Sequence, residues 1–61
     1  METEKIIALK QVFNKHPQLA TSIHKGGNVD ADFESLANLS KIPLNFLLMH
    51  KGYIQRLVFQ I

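Results

Sequence analysis

Residues 30–52 read D-A-D-F-E-S-L-A-N-L-S-K-I-P-L-N-F-L-L-M-H-K-G, and the fold turns on how this stretch is parsed. Asp30 can cap a helix, and Asp32 and Glu34 in its first turn suit the positive end of the helix dipole. Phe33, Leu36 and Ala37 then share one face, with Ser40 a turn further on. Lys41-Ile42-Pro43 makes a turn, because proline cannot continue a helix but is well suited to opening one. The second helix, with Leu44, Phe46, Leu47, Leu48 and Met49, is apolar on nearly every side, and such a helix needs cover on more than one side. Gly52 is expected to end it.

The residues before this stretch read as two more helices. Thr3 can cap the first, with Ile6, Leu9, Val12 and Phe13 at helical spacing and Lys5, Lys10 and Lys15 mostly away from them. Ile7 falls off that stripe, which predicts a second contact or an exposed apolar residue. His16-Pro17 ends the first helix, since the residue before proline avoids the α region, and Pro17 is a good first residue for the next. Leu19, Ala20 and Ile23 supply a short apolar face. Gly26-Gly27 closes the helix in the left-handed conformation that glycine adopts without strain.

After Gly52 the pattern is ambiguous. Ile54, Leu57, Val58 and Ile61 fit a helix, whereas Leu57, Phe59 and Ile61 alternate like a strand; the helix is the preferred reading. Phe13, Phe33, Phe46 and Phe59 fall one to an element and are expected to anchor the core. The expectation is a single all-α domain, residues 1–61, with three or four short helices and a helical tail.

A chain of 61 residues buries only about 60% of the surface it exposes when unfolded. Small domains commonly compensate with disulfides, a metal or a partner subunit. Cysteine is absent, so disulfides and thiolate zinc sites are excluded. With 46% hydrophobic residues, self-association is the natural remaining route. The longest apolar runs fall far short of the roughly 20 residues that span a bilayer, and the polar start M-E-T-E-K does not read as a secretory signal. A cytoplasmic protein without membrane partners is expected.

Formal charge is +2 but uneven: after Glu34 the chain carries Lys41, Lys51 and Arg56 and no acid. These cations could touch a phosphate backbone, although ordinary solubility charge is the preferred reading. The acids at 30, 32 and 34 resemble a calcium loop only superficially. An EF-hand needs glycine at the sixth loop position and glutamate at the twelfth, where this chain has Ser35 and Lys41. His16, His24 and His50 lack the i, i+4 spacing of a metal pair on a helix. No nucleophile motif or glycine-rich phosphate loop is present. No catalytic residue, metal site or cofactor is expected, and the chain reads as a non-enzyme.

One motif remains. Phe33 to Gly52 resembles the helix-turn-helix of phage and bacterial repressors, through Leu36-Ala37, Ser40, Ile42-Pro43 and Leu47. The resemblance covers a third of the chain and implies a DNA-binding regulator, of a kind often carried by phages and plasmids. In that role Asn45 would meet a base, while Lys41, Lys51 and Arg56 would hold phosphates. Three departures stand against it. Lys41 replaces the turn glycine, and His50 replaces an inward aliphatic residue. The groove-facing positions Pro43, Leu44, Asn45, Leu48 and Met49 include only one side chain, Asn45, equipped to read base edges.

An apolar reading face is better suited to another apolar surface. The leading expectation is therefore a small regulatory protein–protein interaction module that forms a homo-oligomer, most simply a dimer. The residues expected to carry the contact are Leu44, Leu48, Met49, Tyr53, Leu57, Phe59 and Ile61.

Overall fold

The computed structural model of the chain describes residues 1–58, and over that range it is all-α. Five helices follow in order: α1 Thr3–Lys15, α2 Pro17–Lys25, α3 Val29–Ser40, α4 Leu44–Met49 and α5 Lys51–Leu57. Four helices and a helical tail, the upper end of the expectation, account for all five, with α5 starting two residues before the expected tail. Phe59 and Ile61 lie outside the described residues.

Boundaries follow the punctuation residues, with three corrections. Gly26 ends α2 in the left-handed region at φ 73°, its N–H donating to the carbonyls of Ser22 and Ile23. Neither Thr3 nor Asp30 serves as a cap. Thr3 is already helical, and the carbonyl of Glu2 accepts the first bonds, from Lys5 and Ile6. Helix α3 likewise begins at Val29, because the chain leaving Gly26 brings the Asn28 carbonyl into line to accept from the Asp32 N–H. Asp30 thus sits inside the first turn, where its charge still suits the dipole. Asp32 turns sideways instead, accepting a 2.5 Å hydrogen bond from the Ser22 hydroxyl and tying α3 to α2.

The third correction concerns Gly52, which lies inside α5 instead of ending a helix. The break falls at His50 (φ −113°, ψ 26°). His50 Nδ1 lies 2.9 Å from the Phe46 carbonyl oxygen. A carbonyl only accepts, so Nδ1 carries the proton and the imidazole stands in for the lost helical donor. This bend sends α4 along α3 and returns α5 to α2. There Gln55 donates from Nε2 to the Ile23 carbonyl at 3.3 Å, covering the end of α2.

The core is one cluster drawn from every helix and from the α3–α4 turn. Leu9, Phe13, Ile23, Phe33, Leu36, Leu47, Ile54 and Leu57 are all buried to within 2% of complete burial. Val12, Ala20 and Ile42 complete the cluster. Two of the four expected aromatic anchors, Phe13 and Phe33, are core residues; Phe46 is only partly buried. One face of Phe46 receives the Lys5 ammonium at 4.9 Å, a cation–π contact, and the His50 ring lies 4.4 Å away. Among the described residues no buried side-chain nitrogen or oxygen lacks a hydrogen-bond partner.

Candidate interaction surface

Helices α4 and α5 each have an inner and an outer side, and burial separates them sharply. Leu47, Ile54 and Leu57 point inward and lose all but 0–1% of their exposure. Leu44 and Phe46 pack against the edge of the core. Leu48 and Met49 point out, with Met49 78% and Leu48 40% exposed, and Tyr53 one turn on in α5 is 38% exposed. Around them Asn45, Lys51, Gly52 and Arg56 are exposed as well. A side chain such as Met49 gains roughly 1.5–3 kcal/mol when water is fully removed from it. Left in solvent, that stabilisation is unused by the protomer.

The residues expected at a partner contact therefore divide. Leu48, Met49 and Tyr53 are available at the surface. Leu44 is half-buried, and Leu57 belongs wholly to the protomer's core. Sequence period alone had no means of separating Leu57 from Tyr53, since residues four apart lie on the same side of a helix. Phe59 and Ile61 fall outside the described residues.

The nucleic-acid set Lys41, Asn45, Lys51 and Arg56 is exposed throughout. None of its three cations pairs with a carboxylate: among the described residues the one ion pair is Lys5–Glu2, at 3.1 Å. The turn joining α3 to α4 is made by residues 41–43, and Lys41 takes φ 64° there. That is a left-handed conformation which costs most L-residues about 1–2 kcal/mol. The Ser40 hydroxyl supports the turn, donating to the Leu36 carbonyl at 2.7 Å and accepting from the Ile42 N–H at 3.3 Å.

Two other exposed apolar side chains lie elsewhere. Ile7 is 51% exposed, in keeping with its place off the α1 stripe, and Leu39 on α3 is 44% exposed, which sequence reading missed. Leu39 lines a shallow groove of about 280 Å³ with Ala8, Val12, Lys15 and Ser40, and a neighbouring hollow of about 390 Å³ runs along Lys15 to Leu19. No residue of α4 or α5 lines either one. Among the described residues no three histidine or acidic side chains gather closely enough to hold a metal. No described helix is long and apolar enough to cross a membrane.

By fold the described residues form a small all-α bundle in which Leu48 and Met49 of α4 and Tyr53 of α5 are exposed. No protein-family model matches it, and searches of curated proteins and of solved structures return no match either.

Proposed function

We propose that this protein is a small, non-enzymatic, regulatory interaction module that self-associates through the outer side of α4 and α5. The observation that carries this reading is the exposure of Met49, Leu48 and Tyr53 on adjoining turns, beside neighbours buried to 0–1%. Leu47, Ile54 and Leu57 are buried completely and fill the protomer's own core on this side. The outward apolar side chains are left over from that packing, and a second apolar surface is the simplest means of removing them from water.

Sedimentation equilibrium across protein concentrations tests the reading, with the double variant Leu48→Glu, Met49→Lys as the control. The wild type should exceed monomer mass and melt at a temperature that rises with concentration. The variant should be monomeric, with a concentration-independent melt and an unchanged helical spectrum. A wild type that stays monomeric at high micromolar concentration would refute the proposal.

A second reading, a DNA-binding regulator of phage or plasmid type, is supported by the left-handed Lys41. The three-residue turn there keeps the backbone form that glycine would supply in a repressor, and Lys41, Asn45, Lys51 and Arg56 are exposed beside it. Its test is a selection from random duplexes. Convergence on one sequence, with binding lost in Asn45→Ala, would favour this reading; weak binding to every duplex that vanishes with added salt would count against it.

A further inference from the structure

The chain has two methionines and no cysteine. In a protein without thiols, the thioether sulfur is the first group that hydrogen peroxide attacks. The two sulfurs stand in opposite settings. Met1 is partly buried and packs against the hydrophobic core. Met49 is the last residue of α4 and is 78% exposed, more than any other large apolar side chain described.

We infer that Met49 is a peroxide-sensitive modification site, and that its oxidation switches self-association off without unfolding the protomer. The step is a two-electron oxygen transfer from hydrogen peroxide. The Met49 sulfur attacks one peroxide oxygen, and the S–O bond forms as the O–O bond breaks. The departing hydroxide takes the proton from the transferred oxygen and leaves as water. Sulfur is oxidised to the sulfoxide and the peroxide is reduced.

The product replaces a flexible apolar side chain with a polar one. In a core that change disrupts packing, but Met49 belongs neither to the buried cluster nor to the side chains packed against it. The protomer therefore keeps its fold. At the surface the sulfoxide holds its water, so an association that would cover Met49 loses apolar area and must desolvate a polar group. This consequence rests on the self-association proposed above, whereas the selectivity for Met49 over Met1 does not. The coupling also runs in reverse. A contact that covers Met49 excludes peroxide, so oxidation draws on the dissociated protomer and association protects the site. Methionine sulfoxide reductases undo the change, which makes the switch resettable.

The experiment treats the wild type with excess hydrogen peroxide, locates the added oxygen by peptide mass and follows association by sedimentation equilibrium. Met49 should be oxidised several-fold faster than Met1. The rate at Met49 should fall as wild-type protein concentration rises, and should not vary with concentration in Leu48→Glu. Protein oxidised at Met49 alone should keep its helical spectrum and the melting temperature of the dilute monomer. Its association should weaken by roughly a hundredfold, about tenfold for each of two copies. Enzymatic reduction should restore it. Met49→Leu should associate like wild type and resist peroxide, and Met49→Gln should behave like the oxidised protein without treatment. Equal oxidation rates at Met1 and Met49 would overturn the site. A wild type that associates equally well before and after oxidation of Met49 would overturn the switch and leave self-association standing. A wild type that is monomeric before treatment would overturn self-association and the switch together, with the ratio of rates at Met49 and Met1 still deciding the site.

Discussion

Lys41→Gly should stabilise this protein, which is an unusual expectation for replacing any residue by glycine. Lys41 is the one non-glycine residue with positive φ among those described, at 64°. Its side chain is exposed and enters no hydrogen bond or ion pair there, so removing it costs no contact. The backbone bond from its N–H to the Ala37 carbonyl, at 2.9 Å, does not depend on the side chain. Relief of the left-handed conformation contributes about 1–2 kcal/mol. Against this, glycine makes the unfolded chain more flexible, a loss of about 0.4–1 kcal/mol. The balance is a gain of roughly 0.5–1 kcal/mol, or about 3–6 °C in melting temperature for a domain of this size. Thermal and guanidinium melts followed by circular dichroism would read it, at fixed protein concentration because self-association also moves the midpoint. An unchanged or lowered midpoint with wild-type guanidinium slope would refute the reasoning. Lys41→Val, which keeps a Cβ and adds a branch, should move the midpoint down.

Two further substitutions probe the interior. Gly26→Ala introduces the left-handed penalty and pushes a Cβ toward the Gln55 amide, so it should cost about 1–2 kcal/mol in a denaturant melt. Phe33→Ala removes a fully buried ring at the centre of the cluster and should cost about 3–5 kcal/mol. A domain of this length has only about 3–9 kcal/mol in total, so the circular dichroism spectrum of Phe33→Ala should show a largely unfolded chain at 37 °C.

The helical class was legible from local signals. Pro17 and Gly26 bracket α2 because one fixes φ at a helical value and the other adopts φ 73° freely, and both effects act within a residue or two. The inward set of α1 (Leu9, Val12, Phe13) and of α3 (Phe33, Leu36) followed from period for the same reason: a single amphipathic stripe has only one side to bury. Caps were less legible. Thr3 and Asp30 have suitable chemistry, but whether a helix starts one residue earlier depends on how the preceding chain arrives, and Gly26 determines that for α3.

Residues 44–58 were where sequence reasoning ran out. Nearly every position from Leu44 to Met49 is apolar, so period carries no information about which side is buried. Only packing separates Leu47, held against the core, from Met49, left in water. Glycine is a helix terminator by propensity, yet Gly52 is helical, because the break is made two residues earlier by His50 bonding back to the Phe46 carbonyl. That bend is a tertiary decision: it lets α4 follow α3 while α5 returns to α2. Composition determined that this chain would have apolar side chains to spare. The three-dimensional packing decided that they would be Leu48, Met49 and Tyr53, because a core of this size holds a limited number of large side chains and Leu47, Ile54 and Leu57 fill it.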